Sequence, residues 1–122
     1  MTRTWLKRTK MLGFSLWALA AIASSASGAE DAKAIYQQKC AACHGSSGMG
    51  DGPASATLQP PPVPLSKAIK GKSDDWIAKV IRAGGPAVGL SPMMPAHPSL
   101  NDDQLKELVQ YVKGLGHESA SE

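Results

Sequence analysis

The sequence predicts a helical fold class, and three observations carry that reading. Residues 31–40, 73–83 and 101–113 repeat apolar side chains at helical spacing. The second and third stretches open on capping residues, and glycines or prolines punctuate the chain between the three. Cys40-Ala41-Ala42-Cys43-His44 sets both cysteines of the chain and a histidine at i, i+3 and i+4, positions that share one face of a helical turn.

Taken in order, the chain begins with a segment that stands apart from this fold. Arg3, Lys7, Arg8 and Lys10 precede an uncharged, largely apolar run from Met11 to Ala23, and then the small residues Ser24 to Ala29. This is the layout of a secretory signal peptide, with cleavage expected after Ala29. An uncleaved anchor is the rival reading, but thirteen apolar residues fall short of the roughly 20 that span a bilayer. Cleavage also reverses the charge. Four of the thirteen Lys and Arg lie in the leader and none of the ten acids do, so residues 30–122 carry nine cations against ten anions, formally −1. The basic balance belongs to the precursor and gives no support for nucleic-acid binding.

The remaining 93 residues make one domain with only three aromatic side chains, Tyr36, Trp76 and Tyr111. So small a chain buries a limited core, and a covalently tied cofactor is one way to compensate. The first helix, Asp31 to Cys40, places Ala32, Ile35, Tyr36 and the Lys39 stem on one stripe and runs straight into the cysteine motif.

C-x-x-C-H is the pattern of covalent haem attachment. Cys40 and Cys43 can reach the two vinyl groups of one porphyrin, and His44 can bring an imidazole nitrogen to the iron. Three other readings compete. Structural zinc usually needs four N/S ligands, and His97 and His117 are distant in sequence. A thioredoxin-like pair wants a βαβ context, and no convincing strand precedes Cys40. A disulfide would close a tight loop and leave His44 unexplained. Haem is the strongest of the four, and export agrees with it, because bacterial c-type haem is attached outside the cytoplasmic membrane.

Gly45, Gly48, Gly50 and Gly52 follow in a loop that lacks the strand and Gly-Lys-Ser/Thr of a phosphate cradle; it is expected to wrap closely around something planar, with Met49 as loop packing. Pro60 to Pro64 forces an extended run, expected to cover a haem edge, and a short helix is expected around Leu65 to Ile69. Ser73 caps the second helix, Asp74 and Asp75 suit its positive end, and Gly84 suits its C-terminal position. Two roles are open to Trp76: an indole hydrogen bond to a haem propionate, or core packing. In the loop from Gly84 to Ser99, Met93-Met94 offers a soft thioether suited to haem iron opposite a histidine. Asn101 and Gln104 make a capping box for the last helix, and Leu100 with Leu105 a hydrophobic staple. Leu105, Leu108, Val109 and Val112 form its apolar face, and Gly114 or Gly116 is expected to end it.

With these residues in view, the chain resembles a small bacterial class I cytochrome c from Asp31 to Leu115. The resemblance rests on Ile35-Tyr36, Cys40 to Gly45, Gly50-Asp51-Gly52-Pro53, Met94-Pro95 and the last helix with Tyr111. It implies an all-α fold of three main helices, with loops wrapped around one covalently bound haem c. It implies thioethers at Cys40 and Cys43, His44 as the proximal iron ligand and the Pro53 carbonyl as acceptor for the other imidazole nitrogen. It favours Met94, the methionine followed by proline, over Met93 as distal ligand, with His97 a minor candidate. Ala32 departs from the family's helix-crossing glycine, which suggests a slightly wider crossing.

The resulting expectation is a periplasmic one-electron carrier, not an enzyme, with no membrane span after cleavage. It would be a monomer that meets redox-partner proteins transiently at the haem edge, since electron-transfer encounters use small interfaces. The alternative is a haem c subunit of a multi-subunit periplasmic dehydrogenase or sulfur-oxidising enzyme. A haem enzyme or gas sensor with an open iron site is a third reading.

Overall fold

The structure, a computed structural model, describes residues 26–121. The expected leader, residues 1–25 of it, lies outside them. Among the described residues there are helices and no strands, so the fold is all-α. In chain order the helices are α1 (Ala26–Lys39), α2 (Ala41–His44), α3 (Leu65–Ala68), α4 (Asp74–Ala83) and α5 (Asp102–Glu118), with single 3-10 turns at Ser55–Thr57 and Gly85–Val88.

α5 is the axis of the domain, in contact with α1, α3 and α4. Its buried stripe is the one the periodicity predicts, Leu105, Leu108, Val109 and Val112, extended by Leu115. Across it pack Tyr36 of α1, Leu65 of α3, and Ile77 and Ile81 of α4. Tyr36 and Leu108 are the largest fully buried side chains, and the Tyr36 ring meets that of Tyr111 at 5.4 Å between centroids. Ala32, where the family has its crossing glycine, is also buried.

Local chemistry sets most helix ends. Ser73 Oγ accepts the Trp76 N–H at 3.2 Å, and Gly84 closes α4 in the left-handed half of φ at 85°. The Asn101–Gln104 capping box is complete in both directions, at 2.8 and 3.1 Å. Leu100 and Leu105 are buried beside it, as a staple requires. Two ends differ from expectation. α1 starts at Ala26, five residues earlier than expected, so the expected cleavage point after Ala29 falls inside it; Ala26, Ala29 and Glu30 are good helix formers. α5 runs through both Gly114 and Gly116 to Glu118 instead of ending at either. A glycine inside a helix costs about 1 kcal/mol relative to alanine, but Gly116 is buried where a Cβ would come 2.7 Å from Ile69 Cδ1. The helix keeps its turn, and the missing side chain lets α3 approach.

Asp74 links the start of α4 to α5, accepting from Lys113 Nζ at 2.6 Å and Gln110 Nε2 at 2.7 Å. The Lys113 hydrogen bond first, then Gln110, hold its carboxyl below the ordinary 3.8. A carboxyl with a depressed folded-state pKa adds stability above its unfolded pKa and loses it as pH falls through the folded value. Asp74→Asn is therefore expected to flatten the acid limb of the stability–pH curve and to lower the neutral plateau only slightly, as for an exposed ion pair. Urea unfolding at stepped pH checks this; an acid limb as steep as in the parent would refute it.

Candidate functional site

The motif is delivered by a near-continuous helix. Cys40 departs from helical geometry (φ −120°, ψ −38°), yet its N–H donates to the Tyr36 carbonyl at 2.8 Å and its carbonyl accepts from His44 N–H at 2.9 Å. Cys40, Cys43 and His44 thus leave one turn together, and all three line a cleft of about 310 Å³. Its other walls include Leu58 and the run Pro60 to Val63, and Leu90, Ser91 and the run Met93 to Pro95 with His97. Both Met93 and Met94 reach it. Of the expected proline cover, Pro60, Pro61 and Pro62 line the cleft.

The donor chemistry fits a haem c. Cys40 and Cys43 are free thiols, so the disulfide reading fails. Burial pushes the Cys40 thiol up to about 11, against the pull of Lys39, so it is a thiol at neutral pH. Burial also lowers the His44 pKa, which keeps its imidazole neutral with a lone pair to offer. The walls are otherwise mostly aliphatic, as a flat apolar ring needs. Among the described residues no three His, Cys, Asp or Glu side chains gather as a metal-binding set, which leaves the zinc reading without its ligands.

Trp76, Pro53 and the glycines of 45–52 all lie outside the cleft wall. Trp76 packs against the α1/α4/α5 core, and Lys72 Nζ sits 4.7 Å from the centre of its ring. His44 Nδ1 is buried with no hydrogen-bond partner, so the bond to the Pro53 carbonyl is not formed in this structure. Pro53 is nevertheless held against the motif turn, because Gly52 and Ala54 on either side donate to the carbonyls of Cys43 (3.3 Å) and Ala42 (2.8 Å). The glycines 45–52 do not wrap the cleft. Gly52 presses on backbone, where a Cβ would overlap the Ala41 and Ala42 carbonyl oxygens. Met49 stays out of the cleft, as expected.

The two methionines differ in anchorage. Met93 is 52% exposed, and its N–H donates to Ser91 Oγ at 3.2 Å. Met94 is half-buried; its N–H donates to the Ser91 carbonyl at 3.2 Å and its carbonyl accepts from Gly85 N–H at 3.0 Å. His97, distant from the motif in sequence, is brought to the same wall by its N–H bond to the Ile81 carbonyl at 3.0 Å. Burial, and then Lys39, lower its pKa. Leu58 and Leu90, which sequence reasoning did not single out, also line the cleft. The available signal was that each is an aliphatic residue in a proline- or glycine-rich loop with no stripe to join.

A family model described as Cytochrome c matches residues 29–116. The chain is also similar to the cbb3-type cytochrome c oxidase subunit CcoP of Azospirillum brasilense, at 31% identity over 94 residues. That match covers 76% of this chain and 30% of the subunit, so the chain spans under a third of that relative's length.

Proposed function

The chain belongs to the cytochrome c family, a c-type haem electron-transfer protein, and on that premise we propose that it is an exported one-electron carrier whose iron is held between His44 and Met94. The observation that carries this reading is that Met94 lines the same cleft as Cys40, Cys43 and His44. The haem c, when bound, supplies a ferric/ferrous couple that accepts and returns one electron.

The chain's own residues then do four things. Cys40 and Cys43 would hold the group as thioethers, and neutral His44 would offer its imidazole nitrogen to the iron. Met94 offers a thioether, which raises the potential relative to a second histidine. A buried ring nitrogen left without a partner costs about 1–3 kcal/mol; the Pro53 carbonyl is the proposed acceptor for His44 Nδ1. The apolar walls keep water from the iron's surroundings. With His44 and Met94 both holding the iron, no ligand position would remain for a substrate, and the protein would move electrons between partners that dock at the cleft rim. Residues 1–29 direct export to the periplasm with cleavage after Ala29, and residues 30–122 form the working domain. Among the described residues no helix is long and apolar enough to cross a membrane.

Met94→Ala in the haem-loaded protein tests the ligand assignment. Expected are a lower potential, loss of the absorption that a ferric iron–thioether bond gives, and CO binding to the reduced form. An unchanged spectrum and potential would exclude Met94. A second reading is favoured by the oxidase-subunit relative: a haem c subunit of a larger redox enzyme, a dehydrogenase or sulfur-oxidising complex included. Purification as a free haem-loaded monomer supports the carrier, and a stable copurifying catalytic chain supports the subunit.

A further inference from the structure

The two adjacent methionines pose a choice that the iron cannot make alone, since both sulfurs are chemically the same ligand. Local structure distinguishes them. α4 ends on Gly84, whose φ of 85° turns the chain so that the Gly85 N–H meets the Met94 carbonyl at 3.0 Å. The Gly85 carbonyl accepts from Leu90 N–H at 2.9 Å, and the Ile81 carbonyl accepts from His97 N–H at 3.0 Å. The methionine loop is therefore bonded to the end of α4 before, at and after Met94.

Steric room points the same way. A Cβ on Gly84 would sit 3.1 Å from the Met94 carbonyl oxygen and 3.1 Å from the Ala96 nitrogen. A Cβ on Gly85 would overlap the Ser91 carbonyl oxygen and come 3.1 Å from Met94 Cβ. These glycines are where the loop lies directly on the helix end. Gly89, in the same segment and also at positive φ (76°), has nothing within 4 Å of an added Cβ.

We infer that Gly84 and Gly85 are positioning residues, a side-chain-free seat that fixes the Met94 backbone and so selects Met94 over Met93 as the second iron ligand. This rests on the reading of Met94 as a ligand. Met93, exposed and held by one side-chain hydroxyl, has no comparable seat. A methyl group at 85 forces the loop off the helix end and loosens the sulfur without touching the thioether tether or His44.

The test uses the haem-loaded full chain and imidazole as a competing iron ligand. Gly85→Ala is expected to weaken the ferric iron–thioether absorption and to tighten imidazole binding by about tenfold, the scale of a small overpacking error. Gly89→Ala strains the same segment without meeting Met94, and is expected to leave both readouts at parent values. Equal effects from the two variants, or none from Gly85→Ala, would overturn the seat. Met94→Leu separates the two readings: an unchanged thioether absorption there sinks the ligand assignment, whereas its loss beside a silent Gly85→Ala sinks the seat alone. If Gly85→Ala does not accumulate with haem, amide exchange on the parent decides. Saturating imidazole should speed exchange at the Gly85 and His97 amides by about tenfold or more, while Leu108 and Val109 stay protected. Unchanged protection at Gly85 and His97 would overturn the proposal.

Discussion

The Cys40→Ser/Cys43→Ser variant is expected to retain no haem after acid extraction and to lose the order of residues 53–64 and 84–99. The core explains why the loss should be selective. α1, α3, α4 and α5 bury their stripes against one another, and none of that packing needs the cleft. The two loops add no large apolar side chain to that core, and the second is tied to the end of α4 by backbone hydrogen bonds. Val63, Leu90 and Met93 are the exposed large apolar side chains among the described residues, at 53, 46 and 52%, and all three line the cleft. Burying the remaining half of three such side chains against a porphyrin contributes on the order of 3 kcal/mol. Against a domain stability of about 5–15 kcal/mol that is a large share, equivalent to roughly 15 °C in Tm for a chain of this size. Amide exchange should show both loops deprotected while Leu108 and Val109 keep most of their protection. Loops as protected as in the parent would show that the haem is not their core.

What the sequence made legible was what short-range chemistry decides. Ser73, the Asn101–Gln104 pair and Gly84 announce helix ends because capping involves residues within one turn of each other. Cys40, Cys43 and His44 announce a cofactor because their spacing is itself the geometry. The features that were not legible depend on a second segment. Gly116 reads as a stop until Ile69 is known to lie against it. His97 reads as distant until the Ile81 carbonyl draws its backbone to the cleft. Trp76 had two open roles, and its contact with the core becomes visible only once α4 is packed on α5. The glycines at 45–52 suggested close wrapping, and the close approach exists, but Gly45 meets Asp51, Gly48 meets Leu65, Gly50 meets the Pro62 carbonyl and only Gly52 meets the backbone of α2. Composition told that something must come near; it could not tell what.

Tyr36 is the side chain through which core and cleft communicate, and its substitutions should separate two energies. Its ring is buried between α1 and α5 beside Tyr111, and its hydroxyl donates to the Gly45 carbonyl at 2.7 Å, one residue beyond His44. Burial raises its phenol pKa well above the ordinary value, so it is a donor at any working pH. Tyr36→Phe keeps the ring and removes the hydrogen bond. The Gly45 carbonyl still accepts from Gly48 N–H at 3.1 Å, so it is not orphaned, and the expected cost is about 1 kcal/mol. Tyr36→Ala also empties the ring's volume beside Leu108, with an expected cost of about 3–5 kcal/mol. Urea unfolding of the haem-loaded variants measures both. The Phe variant should also shift the potential, because the turn that carries His44 loses its tie to α1, whereas a purely packing role would leave the potential unmoved. Equal destabilisation by Phe and Ala would mean that the hydroxyl, not the ring, holds the motif helix to the core.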